Sequence, residues 1–295
     1  MEVVLPRQRY LLLLVAVLTL VWGTSWVLFP VAVREVSVWT FRSICLLGAG
    51  VLLLLVVRLR GQSLYVPPRE RMTLVLAGLT YLAVWIVASL YAALLLPSGQ
   101  ASMLGFTMPI WASLLAWMFL KEKPTIRVVL SVLLAVVGVG CLAFAARDSF
   151  AAAPLGFVVG LSAGVGWAIG TTMLKLGRLT VTPLISTAWQ LVIAGVPVAI
   201  VSILFGSREL FLPSWTSILA IGYVTVFSIA LGNVVWFYIL DMLSTTVSGI
   251  AIVMVPMVAM VTGALVRDEP LGILQVAAIV CCAVAMGLVL IGRSP

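Results

Sequence analysis

Histidine is absent from this 295-residue sequence, and only 9% of the residues are charged. The absence of histidine excludes zinc sites with histidine ligands, Ser-His-Asp triads and histidine proton relays. A soluble domain is about 25% charged and about 45–50% apolar, whereas this chain is 64% hydrophobic. The composition therefore excludes a water-soluble globule and a disordered chain. It predicts an all-α integral membrane protein.

Cysteine is also scarce, and its placement argues against metal binding. The four cysteines, Cys45, Cys141, Cys281 and Cys282, lie in apolar runs, where a free cysteine behaves as a small hydrophobic side chain. Because they show no CxxC or metal-ligand spacing, we expect neither a metal nor another cofactor. The net charge of +8 comes from basic residues at the edges of apolar segments, a pattern typical of membrane proteins. We therefore expect a lipid bilayer, and no nucleic acid, as the partner.

Long apolar runs occupy almost the whole sequence, and the breaks between them are short and polar. A membrane-spanning helix needs about 20 mostly apolar residues. No stretch outside these runs is long enough to form a soluble domain. We predict ten spans, at residues 10–33, 37–57, 73–95, 99–120, 125–145, 154–174, 183–205, 216–240, 246–266 and 271–291.

The basic residues predict the orientation of these spans. Ten spans place both termini on one side, together with the loops after the second, fourth, sixth and eighth spans. Twelve Lys and Arg residues fall on that side and four on the opposite side. Short cytoplasmic loops of membrane proteins carry an excess of Lys and Arg. Both termini are therefore expected in the cytoplasm of a bacterial cell, with the chain in the inner membrane.

The two halves of the sequence, residues 1–147 and 148–295, resemble each other weakly. Pro109 and Pro256 lie 147 residues apart, and Trp22 and Trp167 lie 145 apart. Each half holds five predicted spans, so the second copy must enter the membrane upside down. Inverted repeats are typical of transporters, whose substrate site lies where the repeats meet. Pro109 and Pro256 are candidate hinges between the halves; static kinks are the alternative.

Four motifs stand out: Trp22-Gly23-Thr24-Ser25-Trp26, Phe41-Arg42, Pro109, and Lys121-Glu122-Lys123-Pro124-Thr125. With these motifs the sequence resembles the ten-helix, EamA-type permeases of the drug/metabolite transporter superfamily. Within that family it is most similar to exporters of aromatic amino acids. The resemblance implies a central cavity lined mainly by spans 1–4 and 6–9, with spans 5 and 10 more peripheral. It implies no catalytic residues.

Arg42 is the one basic residue deep inside a predicted span, about 9 Å from the outer end of the second span at the helical rise per residue. A charge inside the membrane suggests a functional role. A guanidinium that faces a cavity would suit a carboxylate, which it can bind in bidentate geometry. Two alternatives remain open at this stage: the side chain reaches the outer headgroups, or it packs against backbone carbonyls.

Aromatic and amide side chains recur at helical spacing inside the spans. They predict either ordinary packing between helices or a cavity wall that stacks on planar apolar groups. The amides either bond across helices or hold a substrate amino group. The candidate substrate-binding residues are Arg42, Trp22, Trp26, Tyr81, Trp85, Ser89, Trp167, Gln190, Asn233, Trp236 and Phe237.

The leading functional hypothesis is export of small metabolites, above all aromatic or hydrophobic amino acids, by alternating access. Because no carboxylate lies at mid-membrane depth, we expect a facilitator driven by the substrate gradient, acting as a monomer. The alternative is a multidrug or lipophilic-cation (quaternary ammonium) exporter of the same fold, which the lone deep positive charge disfavours. An intramembrane enzyme would need clustered His, Asp, Lys or Cys, and the sequence has no such cluster.

Overall fold

The computed structural model describes residues 7–121, 125–205, 213–268 and 271–290, and within these ranges the chain is helical and contains no strand. Nine of the described helices are long and apolar enough to cross a membrane. A tenth apolar helix follows them, so a helix corresponds to each predicted span. The helices are α1 (Arg7–Ala32), α2 (Val38–Leu59), α3 (Pro68–Leu95), α4 (Gly99–Leu120), α5 (Ile126–Ala145), α6 (Pro154–Gly177), α7 (Pro183–Phe205), α8 (Trp215–Met242), α9 (Val247–Arg267) and α10 (Ile273–Leu290).

Hydrogen bonds between helix ends and loops distinguish the two ends of the bundle. At the end where α1 begins, called here the terminal end, Lys175 in the last turn of α6 donates to the carbonyl of Leu243 after α8, 3.1 Å away. At the opposite end, called the far end, Gln100 at the start of α4 donates to Ser149 between α5 and α6, 3.3 Å away. Loops that alternate along the sequence therefore lie at alternate ends, as successive membrane crossings require.

Helix pairs repeat between the two halves of the chain. α1 packs against α9 and α8, and α6 packs in the same way against α4 and α3. α2 packs against α7, and α5 packs against α10. These pairs are the ones expected if a twofold axis exchanges helices α1–α5 of the first half with helices α6–α10 of the second half. The pair α5 and α10 packs against α4 and α9 and contributes no described residue to the central cavity, which leaves eight helices around the centre.

Interruptions of the helices also recur at equivalent positions. α3 is π-helical over Gly78–Val84, and α8 is π-helical over Val224–Leu231. Such wide turns inside α-helices are frequent at functional sites. Both segments lie in helices that pack against the first helix of the other half.

α4 and α9 each consist of two pieces. α4 breaks between Gly105 and Met108, with Pro109 in the first turn of the second piece. α9 breaks in the same way before Val255–Arg267, whose first turn contains Pro256. Proline is tolerated in a first turn because that N–H has no partner within the helix. The breaks are present at both prolines, and hinge motion there stays a prediction.

Close helix approach places α6 at the centre. Gly156, Gly160 and Gly164 lie on one face, and a Cβ on Gly164 would come within 2.7 Å of the carbonyl oxygen of Gly105. A Cβ on Gly170 would come within 2.7 Å of the backbone nitrogen of Tyr81. Small residues at such contacts let helix backbones approach closely in membranes. The result is that Trp167, between these glycines, reaches the middle of the bundle.

Candidate functional site

A central cavity lies where α1, α2, α3, α6 and α8 meet the break in α4, and every residue that lines it is buried. Its free volume is about 30 Å³, which is room for about two water molecules. Six of the fourteen lining residues are aromatic, one is charged, four carry a hydroxyl or amide group and three are aliphatic. The lining residues are Trp22, Ser25, Trp26, Phe29, Arg42, Leu82, Trp85, Ile86, Ser89, Phe106, Trp167, Ser228, Ile229 and Asn233.

Arg42 lies in the wall of this cavity and is 1% exposed. One guanidinium nitrogen, Nη2, donates to Oγ of Ser89 at 3.4 Å, while Nε and Nη1 are buried without a hydrogen-bond partner. The guanidinium carbon lies 4.3 Å from the ring centre of Phe29 and 5.2 Å from that of Phe41. Because the side chain is buried, it does not reach the outer headgroups. Two of its donor groups remain available to a ligand.

Trp167 is the centre of the aromatic wall. Its ring centre lies 5.1 Å from that of Trp22, 4.4 Å from Trp85 and 4.6 Å from Tyr81. Trp236 contacts it from behind at 5.6 Å. Edge-to-face and tilted pairs of this kind stabilise the cluster beyond the burial of their area. The indole N–H of Trp167 has no partner in the described structure.

Polar groups of α8 are fixed around its π-helical turn. The carbonyl of Ser228 accepts a bond from Nε1 of Trp22 at 2.9 Å, and the next carbonyl, of Ile229, accepts from Nδ2 of Asn233 at 2.8 Å. The hydroxyl of Tyr81 donates to Oδ1 of Asn233 at 3.1 Å. These bonds hold the amide of Asn233 at the cavity and link α8 to α1 and α3.

The structure brings together most, but not all, of the residues predicted from the sequence. Seven line the cavity: Trp22, Trp26, Arg42, Trp85, Ser89, Trp167 and Asn233. Tyr81 and Trp236 lie behind this wall and support it. Phe237 and Gln190 lie elsewhere. The amide nitrogen of Gln190 donates to the carbonyl and hydroxyl of Ser186, one turn earlier on α7.

Sequence reasoning missed several lining residues. Phe29 and Phe106 complete the aromatic wall, and Ser25 and Ser228 contribute polar atoms. Phe29 follows Trp26 by three positions, so the helical stripe could have been extended to include it. Phe106 lies in the break of α4, where no periodic pattern points to the cavity.

A second cavity opens at the terminal end, and we call it the vestibule. Its volume is about 160 Å³, and it is lined by Leu174, Lys175, Arg178, Leu179, Val181, Pro183, Ser186, Phe237, Leu240 and Asp241. Phe237 also contacts Tyr81, with ring centres 5.5 Å apart. Phe237 and Tyr81 therefore stand between the vestibule and the central cavity.

A helical membrane bundle in two related halves, with a closed cavity at its centre, is an arrangement typical of transporters. The model of the EamA-like transporter family matches the chain twice, over residues 9–144 and 154–291. The chain therefore belongs to the EamA-like transporter family, and it is a multi-pass membrane transporter. Residues 122–124 of the Lys121–Thr125 motif lie outside the described residues.

The relatives cover almost the full length of the chain. The chain is 26% identical to the uncharacterized transporter YvbV of Bacillus subtilis, over 90% of this chain and 87% of that protein. It is 26% identical to the uncharacterized inner membrane transporter YedA of Escherichia coli, over 94% of this chain and 89% of that protein. A solved crystal structure superposes with a TM-score of 0.75 over 95% of this chain and 96% of the other, at 14% identity, and thus shares the fold.

Proposed function

We propose that this protein exports aromatic and other hydrophobic amino acids by alternating access. The observation that carries the proposal is the buried guanidinium of Arg42, with two unbonded donor groups, in a cavity that six aromatic side chains also line. A carboxylate would satisfy both donors in bidentate geometry. The aromatic rings would stack on a planar side chain. A substrate with both features is an aromatic amino acid.

Polar atoms elsewhere in the cavity wall suit the other end of such a substrate. Ser25 and Asn233 line the cavity and carry a hydroxyl and an amide oxygen. These atoms accept hydrogen bonds, so they favour the ammonium group of a zwitterion. A lipophilic cation without a carboxylate would bring a second positive charge next to Arg42, which costs free energy at low dielectric. The site therefore favours amino acids over quaternary ammonium compounds.

The small cavity volume supports alternating access. Free space of about 30 Å³ is far too small for an amino acid, so binding requires the walls to separate. The vestibule provides a route from the terminal end, interrupted by Phe237 and Tyr81. With the terminal end in the cytoplasm, as the twelve-to-four distribution of basic residues favours, that route leads outward from the cell. The localisation proposed is the bacterial inner membrane.

The coupling proposed is facilitated movement down the substrate gradient. Among the described residues that line the central cavity there is no Asp, Glu or His, so no acidic group there would exchange a proton with the substrate. The cavity is built from helices of a single chain, which favours a monomer as the working unit. The only partners proposed are the bilayer and the small-molecule substrate.

The test is uptake of labelled phenylalanine by proteoliposomes, with and without a pH gradient. Wild type should take up phenylalanine without a gradient, and excess tryptophan should compete. Arg42→Ala should reduce uptake by at least about tenfold, the effect of losing one charge-assisted contact. Arg34→Ala, which removes an exposed arginine from the far end, is the matched control and should retain uptake.

Two outcomes would contradict the proposal. Folded wild type that fails to transport phenylalanine but transports tetraphenylphosphonium would favour a lipophilic-cation exporter. Uptake that Arg42→Ala leaves unchanged would show that the guanidinium does not bind the substrate.

A further inference from the structure

At the far end, a carboxylate joins the two halves of the chain. Glu35, in the loop between α1 and α2, accepts a hydrogen bond from the backbone N–H of Ser214 at 2.8 Å. Ser214 is the N-cap of α8, and its side chain accepts from the N–H of Ser217. Glu35 therefore connects a loop of the first half to the beginning of a helix of the second half.

At the terminal end, a second carboxylate makes the corresponding connection. Glu70, in the first turn of α3, accepts from the backbone N–H of Thr180 at 3.0 Å and from its hydroxyl at 2.5 Å. Thr180 lies in the loop between α6 and α7. Here a helix of the first half is joined to a loop of the second half.

These two connections occupy equivalent places in the repeat. Glu35 and Thr180 lie 145 residues apart, which is the spacing of Trp22 and Trp167. Glu70 and Ser217, whose side chain also hydrogen-bonds to Glu35, lie 147 apart, which is the spacing of the two prolines in the broken helices. The position of the carboxylate differs between the two connections. At the far end it belongs to the loop residue, Glu35, and at the terminal end it belongs to the helix residue, Glu70.

We propose that Glu35 and Glu70 are two latches that hold the far end and the terminal end of the central cavity closed. Each latch joins the halves at one end of the bundle, and both are formed while the cavity is closed. Opening one end separates the halves there and must break the latch at that end. The proposal rests on the alternating-access part of the proposed function, and it does not depend on the substrate.

The two latches differ in strength. Glu70 is buried and accepts two bonds from one residue, whereas Glu35 is exposed to solvent. Hydrogen bonds to a charged group are stronger when water is excluded. The empty transporter should therefore open more readily at the far end than at the terminal end.

The test measures access to the cavity from each side, without substrate. Ser89→Cys, in a background without the four native cysteines, places one thiol in the cavity wall. Membrane-impermeant maleimide is then added to one face of oriented vesicles, with the orientation determined by protease access to a terminal tag. Glu70→Gln should raise labelling from the terminal face by about tenfold, and Glu35→Gln should raise labelling from the far face, since each loses hydrogen bonds to a charged group.

A matched control and a milder variant complete the test. Asp148→Asn removes an exposed far-end carboxylate whose ion pair is with the adjacent Arg147, and it should change labelling from neither face. Thr180→Val removes the hydroxyl donor but keeps the backbone N–H, so it should give about threefold more labelling from the terminal face. If Glu70→Gln does not fold, Thr180→Val alone carries the test.

The proposal is overturned if folded latch variants label like wild type from both faces, or if both variants raise labelling from the same face. Phenylalanine uptake with unchanged labelling would reject the latches and support the proposed substrate. Side-specific labelling in a protein that does not transport phenylalanine would support the latches and reject the proposed substrate.

Discussion

The indole N–H of Trp22 donates to the backbone carbonyl of Ser228 across the interface between the two halves, at a distance of 2.9 Å. Trp167, the equivalent of Trp22 in the second half, directs its ring to the same cluster, but its N–H has no partner in the described structure. Both indoles are therefore buried in one aromatic cluster, where Trp167 contacts four rings and Trp22 two, and only the N–H of Trp22 has a hydrogen-bond partner among the described residues.

This difference predicts unequal effects of two matched substitutions. Trp22→Phe and Trp167→Phe remove the same ring volume, but only Trp22→Phe also removes the bond to Ser228. We expect Trp22→Phe to lower the free energy of unfolding by about 1 kcal/mol more than Trp167→Phe. Unfolding of both variants in detergent micelles checks the prediction. Equal losses would mean that the hydrogen bond contributes nothing measurable.

The close approach of α6 to α3 predicts sensitivity at Gly170. A Cβ there would come within 2.7 Å of the backbone nitrogen of Tyr81, whereas nothing lies within 4 Å of a Cβ on Gly140. We expect Gly170→Ala to destabilise the protein by about 1–3 kcal/mol, because backbone must move. Gly140→Ala, the control in α5, should be neutral or stabilising by up to about 1 kcal/mol. Melting temperatures of the two variants check this prediction. Similar values would contradict the close approach of α6 to α3.

The burial of Arg42 predicts a conflict between stability and transport. A buried cation without a carboxylate partner costs free energy, so Arg42→Met should raise the free energy of unfolding by about 1–3 kcal/mol. The same variant should lose phenylalanine uptake. A melting temperature that falls instead of rising would assign Arg42 a structural role. Unfolding and uptake should be measured on the same preparation.

The surroundings of Glu35 predict how the far-end latch depends on pH. Hydrogen bonds from Ser217 and Ser214 lower the pKa of Glu35 below its ordinary value of 4.5. A carboxyl whose pKa is lower in the folded state contributes stability above its unfolded pKa, and the contribution is lost as the pH falls through the folded pKa. Glu35→Gln should therefore lower the melting temperature at pH 7.

The same difference between wild type and Glu35→Gln should shrink as the pH falls below the ordinary pKa of the carboxyl, and it should disappear below the lowered pKa of the folded state. Melting temperatures measured from pH 7 to pH 3 check this. Ser217→Ala, which removes one of the donors, should show a smaller difference with the same trend. A difference that persists unchanged at pH 3 would show that the charge of Glu35 does not stabilise the fold.

The spans could be predicted from the sequence because a bilayer imposes a length and an apolar composition on each helix. The tryptophans of the cavity could be predicted because aromatic rings at mid-span lie far from the membrane surface. Gln190 could not be placed in this way, because its amide bonds Ser186 one turn away on its own helix. Periodicity identifies a helix face but not the partner of a polar group on it.

The connections between the halves were beyond sequence reasoning. Glu35 and Ser214 are separated by 179 positions, and the donor is a backbone N–H, which has no signature in the sequence. Thr180 donates to Glu70 partly through its own backbone. Such contacts depend on how the helix ends are arranged in three dimensions, and the hydrophobic pattern does not contain that information.

Arg42 also places a positive charge inside the electric field of the membrane. One elementary charge that crosses the full membrane potential changes the energy by about 2.3 kcal/mol per 100 mV. A zwitterionic substrate has no net charge, so its own passage is insensitive to voltage. A displacement of α2 that moves the guanidinium along the membrane normal is sensitive to voltage, because it moves a charge. For the proposed zwitterionic substrate, a voltage dependence of transport would therefore report the movement of the second helix and not that of the cargo.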